Sequence, residues 1–182
     1  MDAVAGSLRL VRSRAILDSL TAFGFALLIG LGAHLKITLP FTPVPVTFQT
    51  LFLLIGGSYL RRFYSLQMVG WYLLLGGAGL PLFADGSRGL ATLLGPTGGY
   101  LLGFGLAAAL LGFFRFQKPW RNFLLFLAAH SILFVPGVAW LKFVTGASWD
   151  RALAMGLYPF LVGDLLKSAA AFAGSFLYPR GE

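Results

Sequence analysis

Apolar runs long enough to cross a bilayer follow one another through this chain with almost no polar sequence between them. A helix needs about 20 mostly apolar residues to span the hydrocarbon core. Six segments are candidates: 16–35, 46–60, 64–80, 97–115, 121–144 and 152–177. The second and third are short for a full crossing, which suits thinly spanning helices or helices that begin beneath a loop. Six spans in 182 residues leave no room for a soluble domain. Residues 1–182 therefore read as one domain, an all-α membrane protein with six transmembrane helices and structured outer loops lining a ligand pocket. Composition agrees. Residues are 58% hydrophobic and 11% charged, with a mean hydropathy of +0.82, whereas a soluble domain carries about 25% charge. In water such a chain would expose far too much apolar surface. Arg9, Arg12 and Arg14 followed by an apolar run imitate a signal peptide. Without a clear cleavage site, and with further spans following at once, the segment reads as a retained first helix.

The net charge of +8 does not point to nucleic acid, because the bases stand singly between apolar runs and form no stripe for a phosphate backbone. They report topology instead. With six spans both termini share a side, and that side collects Arg9, Arg12, Arg14, Arg61, Arg62, Arg115, Lys118, Arg121 and Arg180. The other side has Lys36, Arg88, Lys142 and Arg151, and Lys167 lies inside the last span. Nine bases against four predict cytoplasmic termini. The absence of cysteine excludes disulfides, thiolate catalysis and cysteine-ligated metals.

The connections differ between the two faces. Those on the inner side are short and basic. On the outer side, residues 36–46 read KITLPFTPVPV, and Pro40, Pro43 and Pro45 impose extended backbone. Residues 79–99 read GLPLFADGSRGLATLLGPTGG, glycine-rich yet apolar, which predicts a loop folded back to line or lid a cavity. Small residues recur every fourth position at Ala22, Ala26 and Gly30, and again at Gly95, Gly99 and Gly103. Such rows let helices approach closely, within the chain or against a partner.

Asp164 and Lys167 are the most informative pair, since each charge costs roughly 2.5–3.5 kcal/mol at the centre of a span. Spaced i and i+3, they share a helix face, offset each other and point together into the bundle. They read as a ligand or ion site, or else as an ion pair that only fixes packing. Pro159 and Gly163 upstream are candidates to kink or start this helix. Arg88, in the outer loop, is a candidate to hold a substrate carboxylate, or a solvated arginine. Thr47, Gln49 and Thr50 open the second helix, where they either add hydrogen bonds to a ligand or cap the helix. Tyr100 lines the pocket or belongs to an interfacial aromatic belt. His34 and His130 share no metal-ligand spacing and read as core or interface residues, so no metal site is expected. Gly95-Pro96-Thr97-Gly98-Gly99 lacks the Gly-Lys-Ser/Thr ending of a phosphate loop, so the chain has no ATPase motif of its own. No nucleophile–base arrangement supports an enzyme, and no cofactor is implied.

Three stretches together resemble the BioY family, the biotin-binding S components of energy-coupling-factor transporters. They are FTPVPVTFQTLFLLIGG (41–57), GAGLPLFADGSRGLATLLGPTGGYLLGF (77–104) and YPFLVGDLLKSAAA (158–171). With the spacing of the spans, the resemblance covers nearly the whole chain from about residue 20. It implies six transmembrane helices with a vitamin pocket near the outer face, in a prokaryotic cytoplasmic membrane. It also implies a transmembrane coupling protein and two cytoplasmic ATPases as partners, and it matches Ala22 and Ala26 to a row offered to the coupling protein. Asp164 and Lys167 correspond to the family's acidic and basic pair on the last helix. Asp85 and Arg88 match no fixed position. Biotin suits such a site: a ureido ring with two N–H donors and one carbonyl, an apolar sulfur ring and a carboxylate tail. Asp164 can accept from a ureido N–H, and Lys167 can donate to the carbonyl or pair with the tail. The alternatives are a binding subunit for another water-soluble vitamin, a self-sufficient proton-coupled transporter with Asp164 as relay, and an intramembrane enzyme.

Overall fold

The computed structural model describes residues 2–114 and 116–177, with side chains from Ser13 onward. The side chains of Asp2, Arg9 and Arg12, together with Arg115, Arg180 and Glu182, lie outside the described residues. Helix α1 (Asp2–His34) leads into strands β1 (Lys36–Ile37) and β2 (Val46–Thr47), followed by α2 (Gln49–Tyr59) and α3 (Phe63–Gly77). A 3-10 turn (Ala84–Gly86) and α4 (Leu90–Leu94) lie in the next loop. Then come α5 (Gly98–Phe113), α6 (Pro119–Ser131), α7 (Phe134–Thr145), α8 (Trp149–Gly156), a second 3-10 turn (Tyr158–Phe160) and α9 (Leu161–Gly174).

Two of the sequence-predicted spans are interrupted, each by a proline. Segment 121–144 breaks at Ile132–Leu133 between α6 and α7. Pro136, which has no N–H to give the carbonyl four residues back, places the break there. Segment 152–177 is not one helix. It ends α8 at Gly156, passes through the turn containing Pro159, and resumes as α9. Pro159 is the break, and Gly163 sits inside α9. Among the described residues, the stretches Ser13–His34 and Pro119–Thr145 are each long and apolar enough to cross a bilayer. Helix α2 has 11 residues; at 1.5 Å per residue it is about 16 Å long, roughly half the hydrocarbon thickness.

The core lies among α1, α2, α3 and α5, around Ala22, Ala26, Leu53, Leu54, Met68, Tyr72, Phe104 and Ala108. The outward faces are also apolar: Leu74, Leu102, Val135, Phe143, Val162 and Leu166 are all exposed. An apolar exterior around an apolar core suits lipid on the outside. Close helix approach depends on glycine at particular places. A Cβ on Gly99 would collide with the Pro136 carbonyl and Trp140, and one on Gly103 would sit 2.9 Å from the Cα of Leu133, so this row seats α5 against α7.

The first small-residue row also faces inward. Ala22 and Ala26 are both 0% exposed and belong to the core cluster. A Cβ on Gly30 would meet Leu82 of the loop after α3 at 2.6 Å. The row that the resemblance matches to a surface for the coupling protein thus packs within the chain's own bundle. The exposed side of α1 carries Ile16, Leu17, Leu20, Leu27 and Leu31 instead.

Both structured loops close over one end of the bundle. The proline loop is not extended throughout: it turns at Pro40–Phe41, where the Thr42 N–H donates to the Leu39 carbonyl at 3.4 Å, and only its ends pair antiparallel, Lys36 with Thr47 and Ile37 with Val46. Thr42 Oγ1 donates to the Met155 carbonyl at 2.7 Å and ties the loop to α8. The glycine-rich loop turns back into the protein, so that Phe83 is 1% exposed. Phe83 packs edge-on against Tyr72 and occupies the space that a side chain at Gly76 would fill. Asp85 at the tip adopts φ 63° and pairs with Lys36 of β1, which joins the two loops.

Candidate functional site

A pocket lies beneath these loops. Its polar floor comes from the start of α2 and from α9, through Thr47, Gln49, Thr50, Asp164 and Lys167. Its walls are apolar and aromatic. Tyr100 and Phe104 come from α5, Phe134 from α7, Phe160 from the turn before α9, and Phe83 and Val44 from the loops. An apolar cavity with a few convergent polar groups is the usual form of a small-molecule site.

The buried face of α9 carries Asp164, Ser168 and Ala171 at i, i+4 and i+7, with Lys167 beside Asp164. The Lys167 ammonium lies 2.7 Å from Asp164 Oδ1. It also donates to the Thr47 carbonyl at 3.2 Å and to Thr50 Oγ1 at 3.0 Å. An ammonium has three N–H donors, and these acceptors take all three. Lys167 thus fastens α9 to the start of α2 while neutralising Asp164. Asp164 Oδ1 is shared between Lys167 and His130 Nε2, which is 3.0 Å away. Oδ2 has no partner among the described residues and keeps its acceptor capacity.

Gln49 is held on both sides. Its Oε1 accepts from Thr47 Oγ1 at 3.1 Å, and its amide N–H donates to the buried Tyr72 hydroxyl. Thr47 and Gln49 therefore form a pinned polar edge, and neither is a plain helix cap: the N-cap position of α2 is Phe48, with no side-chain cap. Tyr100 presents its ring to the pocket while its hydroxyl donates to the Gly156 carbonyl at 2.7 Å. That bond satisfies a carbonyl freed where α8 ends and braces the break before Phe160.

The structure brings together Asp164, Lys167, Tyr100, Thr47 and Gln49 from the sequence reading. It leaves Arg88 apart. That residue is exposed on the loop, does not line the pocket, and has no side-chain partner among the described residues. The sequence reading missed His130 and Ser168. His130 is a buried polar residue: 2% exposed, against Asp164 on one side and Ser168 on the other. Its signal was an ionisable residue within an apolar span. It has no metal-ligand spacing, because its partners are a carboxylate and a hydroxyl 34 and 38 residues away in sequence. His34 lies outside the site and faces the Pro81 carbonyl at 2.9 Å.

Comparison with known proteins identifies the family. The BioY family profile matches residues 7–179. The biotin transporter BioY2 of Lactococcus lactis subsp. cremoris is 35% identical over 149 residues, covering 78% of this chain and 82% of that one. The biotin transporter BioY of Thermotoga maritima is 37% identical, over 81% of this chain and 86% of the other. The probable biotin transporter BioY of Methanothermobacter thermautotrophicus is 43% identical, over 65% and 83%. Among solved structures, the crystal structure of the S-component for biotin from an ECF-type ABC transporter superposes with a TM-score of 0.84 at 25% identity, over 93% of this chain and 94% of that one. A profile match over almost the full length, relatives above 30% identity and a shared fold make the chain a member of the BioY family.

Proposed function

We propose that this chain is the biotin-binding membrane subunit of an energy-coupling-factor importer. It captures the vitamin at the outer face and passes it inward with a transmembrane coupling protein and two cytoplasmic ATPases. The observation that carries the reading is the floor of the pocket, where one mostly buried carboxylate is paired on one oxygen and open on the other. Oδ2 of Asp164 accepts a ureido N–H of biotin. The sulfur ring rests on the aromatic walls at Tyr100, Phe104 and Phe160. With its three donors already bonded, Lys167 acts chiefly by holding Asp164 Oδ1 in place. It donates to the ureido carbonyl only by releasing Thr47 or Thr50.

The carboxylate tail then points to the mouth. Arg88 belongs to the loop that also supplies Phe83 and Ala84 to the pocket. It is unpaired there and can swing onto the tail. Six passes across the prokaryotic cytoplasmic membrane are assigned to α1, α2, α3, α5, α6 with α7, and α8 with α9, with both termini in the cytoplasm. The ATPases supply the energy for import, since the chain has no ATPase motif of its own.

The test is calorimetric titration of detergent-solubilised protein with biotin, beside Asp164→Asn. Stoichiometric binding that weakens about 100-fold or more in the variant is expected, the cost of a charged acceptor lost from a buried site. Folded wild-type protein that ignores biotin but binds thiamine or riboflavin would move the assignment to another vitamin.

A further inference from the structure

Behind Asp164, away from the pocket, lies a buried pair of side chains that line no part of it. His130 on α6 is 2% exposed and Ser168 on α9 is 0% exposed. His130 Nδ1 is 3.0 Å from Ser168 Oγ, and its Nε2 is 3.0 Å from Asp164 Oδ1. Nε2 makes no in-line hydrogen bond to any group among the described residues. The Asp164 carboxylate is the polar atom within its reach.

An aspartate carboxylate is poorly fixed by its own torsion, because the terminal χ2 rotation is broad and two-fold. Only contacts from outside decide which oxygen faces the ligand. Lys167 grips Oδ1 from one side, on the same helix. His130 approaches the same oxygen from a different helix, so the two together define the carboxylate plane. Ser168 determines what His130 can offer. When the serine hydroxyl donates to Nδ1, the ring hydrogen resides on Nε2, 3.0 Å from Oδ1 and off the line to it, so that a small turn of the ring or the carboxylate completes the bond. Ser168 and Asp164 are one helical turn apart on α9, so one helix face holds both ends of the relay.

We infer that His130, oriented by Ser168, is a positioning residue for ligand capture: it holds Asp164 Oδ1 inward and thereby keeps Oδ2 turned to the ligand. The inference deepens the biotin reading and rests on it for the identity of the donor that Oδ2 meets. The charged groups facing His130 are Asp164 directly and Lys167 across the shared oxygen.

The chain contains two histidines, so nitrogen NMR of the histidine-labelled protein gives few signals, and His34→Gln assigns them. The expected spectrum has a hydrogen on His130 Nε2, and Ser168→Ala shifts the Nδ1 resonance and mixes the tautomers. A bare Nε2 in the wild-type protein would overturn the relay, since it could then give nothing to Asp164. Biotin titration supplies the second arm. His130→Leu is expected to weaken binding about 10-fold or more, and His130→Gln, which returns an N–H near the Nε2 position, to recover it to within about threefold. Equal losses in both variants would reduce His130 to a packing residue. The NMR arm needs no ligand, so a failure of the biotin assignment and a failure of the relay are distinguishable.

Discussion

Lys167 and Asp164 are coupled so tightly that removing either one tests a different property. In Lys167→Met, the Asp164 carboxylate stays buried with His130 as its remaining partner, and the Thr47 carbonyl and Thr50 hydroxyl lose their donor. Breaking a buried pair from one side costs about 3–5 kcal/mol. In Asp164→Asn, the lysine still has Thr47 and Thr50. Lys167→Met is therefore expected to lower the thermal unfolding temperature in detergent more than Asp164→Asn does. The double variant Asp164→Asn with Lys167→Met should regain part of that loss, because no lone charge remains. A double variant less stable than either single one would contradict the pairing. Arg88 is tested through the ligand. Arg88→Ala should weaken biotin about 10-fold and leave biotinamide, which has no carboxylate, unchanged, as expected for one charge-assisted bond near solvent. Equal weakening of both ligands would remove Arg88 from the tail.

At the scale of elements, the glycines show which contacts fix the pocket. A Cβ on Gly76 would displace the Phe83 ring, and with it the loop that roofs the site. Gly105 on α5 faces open space. Gly76→Ala is expected to cut biotin affinity by 10-fold or more, whereas Gly105→Ala leaves binding unchanged. Titration of the two variants side by side decides, and a neutral Gly76→Ala would mean that Phe83 does not shape the site. Ala22→Leu with Ala26→Leu should likewise abolish binding by forcing α1 off the core, as overpacking predicts. Had the row faced a partner, binding would survive and only transport would fail. The sequence revealed the mostly helical character and the inward-folded glycine loop, because each follows from local rules of length and polarity, but it ran through the breaks at Ile132–Leu133 and Pro159 and missed the turn at Pro40–Phe41. The Asp164–Lys167 face was equally legible from i,i+3 spacing. The direction in which Ala22 and Ala26 face was not, since a small-residue row looks alike from either side. His130 was hidden for a related reason: its partners are on another helix, and only packing brings α6 against α9.

Across the whole molecule, the two loop-covered ends of β1–β2 and of the 79–97 segment lie over one mouth, and the basic connections at Arg61–Arg62 and Lys118–Arg121 belong to the other end of the helices. If the charge rule sets the orientation, the mouth faces outward and those bases face the cytoplasm. The chain has no cysteine, so a single cysteine introduced at either end reports its side without background. Gly86→Cys places a thiol at the tip of the glycine-rich loop, where a Cβ meets open space although the positive φ of 66° adds local strain; Ser87→Cys, beside it, avoids that strain. Lys118→Cys places one in the exposed connection before α6. A membrane-impermeant maleimide added to intact cells should label the loop cysteine, and excess biotin should slow that labelling as the mouth fills. The Lys118→Cys protein should react only after the membrane is opened. The reverse pattern would put the pocket on the cytoplasmic side, where a subunit that captures vitamin from outside has no use for it, and would overturn both the orientation and the direction of transport.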